Sequence, residues 1–297
     1  MTTPPSEAVG IQAPGAGSAS IVSAEVLQNR QVADGMYDLQ LAVPRSWGPA
    51  MPGQFVSLTL ERSWREDLPG DGGAALLRRP FSLAGSRVTP TGTELAVLYS
   101  PVGKVTRELC KVEAGERVDL MGPRGTAFPL REGTHPVLVG GGRGIAPFFF
   151  VGAALEAKDR PFSVLYGMRT AAQAVPMGQF EKGTVYATED GSRGVRGTVI
   201  DLLDRRLPKT ADPPLILTCG PHGMLAAVAE WARAHDTECW VSLEEVFGCG
   251  IGICAGCAIP ATTAAGGEYG RFLWACREGP VVAASDVDWE RWRSLWD

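Results

Sequence analysis

Four cysteines crowd the C-terminal part of this chain. Cys249, Cys254 and Cys257 are separated by four and then two residues, and Cys276 follows after eighteen more. The first three lie in VFGCGIGICAGCAIP (246–260), which also carries four glycines. A C-x4-C-x2-C run with a distant fourth cysteine has the spacing of a plant-type [2Fe–2S] site. Cluster sulfurs accept hydrogen bonds from backbone N–H groups, and Gly250, Gly252 and Gly256 let a loop wrap closely around them. A structural zinc ion more often takes two short C-x2-C knuckles, of which only one is present. Zinc and unligated thiols remain open on spacing alone. The other three cysteines, Cys110, Cys219 and Cys239, are isolated and read as small buried hydrophobes. Seven cysteines, four of them clustered, suit a reducing cytoplasm better than a secreted disulfide framework.

Three further stretches carry polar chemistry. In LLRRPFSLAG (76–85), Arg79, Phe81 and Ser82 put a cation, an aromatic ring and a hydroxyl along one extended segment. Alternation sends Arg79 and Phe81 to one face and Ser82 to the other. A guanidinium suits a pyrophosphate, although an exposed arginine on a strand is common. In YSPVGKVTREL (99–109), a Gly-Lys-Val-Thr turn opens a short helix and offers N–H groups to an anion. VGGGRGIAP (139–147) follows the apolar run HPVLV. It is not a strict G-x-G-x-x-G, yet strand, glycine turn and helix come in the order a dinucleotide site uses. YGMRT (166–170) and TCGP (218–221) are further strand ends, where open parallel sheets bind ligands. His135, His222 and His235 lack metal spacing and read as non-catalytic. No G-x-S-x-G, H-E-x-x-H or P-loop pattern occurs.

The elements that must position these residues change character along the chain. A length of 297 residues allows two domains and a small module. Residues 1–20 are rich in Pro, Gly, Ser and Ala and read as a disordered tail, without the basic and apolar regions of a secretory signal. From 21 to 131, short alternating runs such as YDLQLAV, GQFVSLTL and ELAVLYS predict an antiparallel β-barrel. The stretch 61–75, rich in glycine and charge, reads as an exposed loop. From 132 to 238, continuous apolar strands alternate with helices, which predicts a parallel α/β domain of Rossmann-like type. HGMLAAVAEWARAH is one such helix, with Leu225, Val228, Ala229 and Ala232 on a single stripe. Residues 239–297 form the cysteine-bearing module. Its end carries Trp289, Trp292 and Trp296 at helical spacing, either docking on their own module or facing a partner.

Composition limits the partners. The chain is 45% hydrophobic and 21% charged, with a net charge of −5, which supplies no basic surface for nucleic acid or an anionic membrane. No apolar run reaches the roughly 18 residues of a membrane span.

Taken in order, RRPFS and GKVT on a barrel, GGGRGIAP and CGP on an α/β domain, and SLEEVFGCGIGICAGC with a later cysteine resemble the electron-transfer subunits of bacterial dihydroorotate dehydrogenase. Those subunits belong to the ferredoxin–NADP reductase superfamily. The resemblance covers about residues 21–285. It implies FAD against Arg79, Pro80, Phe81 and Ser82, with Gly103, Lys104 and Thr106 at its pyrophosphate. It implies a nicotinamide nucleotide along Gly141, Gly142 and Gly144, with Cys219 and Gly220 beside the nicotinamide. It implies Cys249, Cys254, Cys257 and Cys276 as ligands of [2Fe–2S], and no acid–base catalytic side chain. The implied partner is an FMN-containing dihydroorotate dehydrogenase subunit in a heterotetramer, serving pyrimidine synthesis. Relatives with the same layout serve hydrogenases, ferredoxins and other redox proteins, and a non-catalytic zinc or cluster scaffold is a third reading. Arg143 departs from the small or apolar residue usual at its position. Glu189 and Asp190 suit the ribose of NAD, whereas Arg169 suits the 2′-phosphate of NADP.

Overall fold

The computed structural model describes residues 20–60, 77–207, 210–262 and 270–295. Most of the expected N-terminal tail, the 61–75 loop and Trp296 lie outside the described residues. Six antiparallel strands close a barrel in the order β1-β2-β5-β4-β3-β6. They are β1 (Ser20–Ala33), β2 (Met36–Pro44), β3 (Phe55–Leu60), β4 (Arg79–Val88), β5 (Gly92–Tyr99) and β6 (Arg117–Arg124). β5 shows why they form: Leu95, Val97 and Tyr99 point inward and are buried, and the residues between them are partly exposed. The helix α1 (Lys104–Leu109) follows β5.

β3 departs from this alternation, because all six of its residues are buried. Val56, Leu58 and Leu60 fill the barrel. Phe55 on the other face packs edge-on against Phe247, with ring centroids 4.9 Å apart. A side chain at Gly250 would lie 3.1 Å from Ser57 Oγ. At Phe55 and Ser57 the outer face of β3 is therefore covered by the C-terminal segment.

The second sheet has seven strands in the order β10-β9-β8-β7-β11-β12-β15. β7 (His135–Gly141), β8 (Ser163–Met168), β9 (Thr184–Thr188), β10 (Val195–Arg196), β11 (Pro214–Cys219) and β12 (Glu238–Ser242) are parallel, and β15 (Val281–Ala283) runs antiparallel to β12. All seven residues of β7 are buried, as expected for a strand covered on both faces. The helices are α2 (Ala146–Glu156), α3 (Val199–Arg206) and α4 (His222–Ala234). Val137 and Val139 point to the side holding α3 and α4, and Leu138 to the side holding α2. α2 packs against β4, joining the sheet to the barrel.

The cysteine segment differs from an independent module. β12 and β15 complete the α/β sheet, so residues 239–242 and 281–283 belong to it. Between them, β13 (Ala258–Pro260) and β14 (Phe272–Trp274) form a small hairpin. β12 and β15 supply apolar residues such as Val241 and Val282 that the sheet face can bury, which is why the chain returns to it. α5 (Trp289–Arg293) packs on β13 and also on α4, where the Trp292 ring meets His222 edge-on at 4.6 Å. Trp292 is 2% exposed, and its indole Nε1 donates to Glu245 Oε1 at 2.9 Å. Trp292→Ala is expected to cost about 3–5 kcal/mol. Thermal melting checks this, and a variant melting with the wild type would refute the docking role. Among the described residues, no helix is long and apolar enough to cross a membrane.

Candidate functional site

Barrel, sheet and C-terminal segment meet around a cavity of about 260 Å³. The barrel contributes Arg79, Pro80, Phe81 and Ser82 from β4, and Gly103 and Thr106 from the α1 turn. Four consecutive residues of β4 thus line the cavity. Arg79 Nη1 donates to the Leu77 carbonyl at 2.8 Å. Phe81 packs edge-on against Tyr99 at 6.0 Å, and the Tyr99 hydroxyl donates to Asn29 Oδ1 at 2.9 Å. The α1 turn is closed by Thr106: its Oγ1 accepts the Gly103 N–H at 2.9 Å and donates to the Gly103 carbonyl at 3.1 Å. Lys104 opens the helix but does not line the cavity.

The opposite wall comes from residues that sequence reasoning did not select as cofactor contacts. Arg143 lies on the turn after β7, and Leu243, Glu244, Glu245 and Phe247 follow β12. Arg143 Nη2 and Glu244 Oε2 are 3.3 Å apart. The signal was present as the acidic pair in SLEEVFG, but only the folded sheet brings it opposite β4.

Gly141, Gly144, Cys219 and Gly220 gather at the adjoining carboxyl edge of β7 and β11. A Cβ on Gly144 would lie 2.3 Å from the Cys219 carbonyl oxygen, so the two strand ends touch backbone to backbone. Gly142 turns the chain between them with φ +53°. Cys219 is buried. Burial pushes its thiol up, Glu244 adds to the rise, and Ser242 and Arg143 oppose it. The thiol is therefore neutral at physiological pH. These residues do not line the cavity itself but border it.

The cysteine loop begins two residues beyond Phe247. Cys249 Sγ accepts the N–H groups of Ile251, Ile253 and Cys254 at 3.4, 3.3 and 3.4 Å. Cys254 Sγ accepts those of Cys249 and Gly256 at 3.3 and 3.4 Å. This wrapping needs Gly250 and Gly252 at φ +70° and +83°, where a side chain is strained. Burial alone would raise the Cys249 thiol, yet the donated N–H groups outweigh it and bring it down to about 6. Cys257 and Cys276 are buried and hydrogen-bonded to each other, which lowers Cys257 and raises Cys276. Among the described residues no group of three or more His, Cys, Asp or Glu gathers to hold a single metal ion. The sulfurs instead associate two and two, which fits a binuclear iron–sulfur cluster, and the N–H donors fit its charged sulfurs. Cys254 is exposed, and Val246 and Ile253 beside the loop are 70% and 75% exposed.

The remaining candidates are held by local contacts. His135 is buried with its Nε2 2.9 Å from Ser163 Oγ, and burial lowers its pKa. His235 stacks on Trp231 at 4.0 Å, and His222 Nε2 donates to the Glu244 carbonyl at 2.6 Å. Cys239 is buried and Cys110 half-buried. Asp190 accepts from the Ser192 N–H and hydroxyl at 3.0 and 2.6 Å, which holds the loop after β9.

Comparison with known proteins agrees with this arrangement. The model of the iron–sulfur cluster binding domain of dihydroorotate dehydrogenase B matches residues 244–288. That of the oxidoreductase NAD-binding domain matches residues 138–230. The dihydroorotate dehydrogenase B (NAD(+)) electron transfer subunit of Shouchella clausii is 32% identical over 267 residues, covering 88% of this chain and 96% of that protein. The same subunit from Desulforamulus reducens is 34% identical, covering 91% and 99%. Among solved structures, an NADH-dependent reduced ferredoxin–NADP oxidoreductase, described for flavin-based electron bifurcation, superimposes with TM-score 0.74 at 26% identity, covering 91% of each chain.

Proposed function

This chain belongs to the electron transfer subunit family of dihydroorotate dehydrogenase B, and on that premise we propose that it carries electrons between an FMN-containing, dihydroorotate-oxidising subunit and NAD+ by way of [2Fe–2S] and FAD. The observation that carries the proposal is the shared cavity. Its walls come from β4, the α1 turn and Leu243–Phe247, and the last of these runs directly into the cysteine loop. When bound, flavin is the group competent both for the two-electron hydride of a nicotinamide and for the single electrons of a cluster.

The chain's own residues hold and orient these groups. Arg79 offers its guanidinium to the FAD pyrophosphate, beside Gly103, Lys104 and Thr106, and Ser82 offers a hydroxyl to the isoalloxazine, with Pro80 and Phe81 as its apolar flank. Gly141, Gly142 and Gly144 admit the nicotinamide nucleotide closely to the sheet edge, with Cys219 and Gly220 beneath the ring. Cys249, Cys254, Cys257 and Cys276 would hold the [2Fe–2S] cluster. Phe247 and Phe55 keep water out between the cavity and the cysteine loop. The exposed flank at Val246, Ile253 and Cys254 faces the catalytic subunit, in a cytoplasmic heterotetramer that serves pyrimidine synthesis.

Co-expression with such a subunit tests this reading. The two chains are expected to purify together, with flavin and roughly two irons per copy of this chain, and to reduce NAD+ with dihydroorotate. Protein lacking flavin and iron, or NADH oxidation that never couples to dihydroorotate, would overturn it. The second reading substitutes a ferredoxin or similar protein as partner, favoured by the ferredoxin–NADP oxidoreductase likeness. Coupling to reduced ferredoxin but not to dihydroorotate would select it.

A further inference from the structure

β7, β11 and β12 lie side by side in that order. Arg143 is on the turn leaving β7 and Glu244 on the segment leaving β12, and their side chains meet at 3.3 Å. The ion pair therefore arches over the carboxyl end of the strand between them, which finishes at Cys219. Both charges act on the Cys219 thiol, Glu244 raising its pKa and Arg143 lowering it. Both also line the cavity that Arg79 to Ser82 line from the other side.

The two partners are held differently. The Glu244 carbonyl accepts from His222 at 2.6 Å, and the preceding Leu243 N–H donates to the Pro280 carbonyl at 2.8 Å. The following Glu245 is anchored by the Trp292 indole. Glu244 is thus fixed on both sides. Arg143 reaches it from a turn whose preceding residue is Gly142 at φ +53°. The pair is partly solvated, with side chains 49% and 34% exposed.

We infer that the Arg143–Glu244 pair sets the balance of affinity between the oxidised and the reduced nicotinamide nucleotide. The inference rests on the proposed nicotinamide position above Cys219 and Gly220. A nicotinamide ring carries a positive charge when oxidised and none when reduced, so hydride transfer changes its charge by one. A carboxylate a few ångströms away favours the cation, and a guanidinium at similar distance disfavours it. Paired, the two nearly cancel. Either one alone is expected to move the ratio of affinities by about 3- to 10-fold, with less effect at high salt.

The test measures dissociation constants for NAD+ and NADH on the assembled holoprotein at low salt, for the wild type, Arg143→Gln, Glu244→Gln and the double variant. Glu244→Gln is expected to raise Kd(NAD+)/Kd(NADH) by about 3- to 10-fold, and Arg143→Gln to lower it by a similar factor. The double variant should return near the wild-type ratio. Single variants whose ratios stay within about twofold of the wild type, or move in the same direction, would overturn the inference while leaving the nucleotide site standing. Wild-type protein that binds neither nucleotide would overturn the proposed site and this inference together.

Discussion

Cys254→Ser is expected to strip the iron from this protein. Purified variant is expected to lose the visible absorption of a cluster and to fall from roughly two irons per chain to near none. The reason lies in ionisation and in the loop. A serine hydroxyl stays protonated at neutral pH, whereas the neighbouring Cys249 thiol is already lowered to about 6 by three backbone N–H donors. Cys254 Sγ itself receives two such donors, and a hydroxyl in their place cannot supply the negative charge they are arranged to meet. The proposed transfer of electrons from dihydroorotate to NAD+ should fall on the order of 100-fold or more, since changing the groups that hydrogen-bond metal ligands alone costs about 10–100-fold. Because Cys254 is exposed, the fold should survive the change. Cys239→Ala is the control: this buried cysteine lies on β12 away from the loop, and iron content should be unaffected. Full iron in Cys254→Ser would remove this residue from the ligand set.

Gly144→Ala and Gly223→Ala are expected to move stability in opposite directions. At Gly144 the new methyl would lie 2.3 Å from the Cys219 carbonyl oxygen and 2.6 Å from the Gly220 Cα. Those are backbone atoms of the neighbouring strand end, and no rotamer change relieves the overlap. The carboxyl edges of β7 and β11 must separate, at about 3 kcal/mol or more, which lowers Tm by about 6 °C or more. The same displacement opens the edge where the nicotinamide nucleotide is proposed to lie, so Kd for NADH should rise with it. At Gly223, in the first turn of α4, nothing lies within 4 Å of an added Cβ. Alanine there should stabilise by about 0.5–1 kcal/mol through helix propensity. Two variants with equal melting curves would show that the strand ends are not in backbone contact in solution.

Much of what each segment can be is written in its local pattern. The C-x4-C-x2-C spacing marks a metal or cluster site, and only the folded chain associates its four sulfurs two and two. Alternation in β5 and continuous burial in β7 named barrel and parallel sheet, since period and polarity are local properties of the chain. The RRPFS strand and the GKVT turn were legible for the same reason. Other features were not local. β3 reads as a half-exposed strand, and packing against Phe247 and the cysteine loop covers its outer face at Phe55 and Ser57. Residues 239–242 and 281–283 read as part of a separate module, yet they close the α/β sheet because their apolar side chains complete its face. The helical spacing of the Trp-rich end suits packing or interface, and in the fold Trp292 is buried against Glu245. Arg143 and Glu244 are 101 residues apart. No periodicity relates them, and it was the strand order β7-β11-β12 that set them across one strand end from each other. Local pattern specifies which chemistry a segment can hold. Which segments share a cavity is decided by tertiary topology, because that alone determines which strand ends become neighbours.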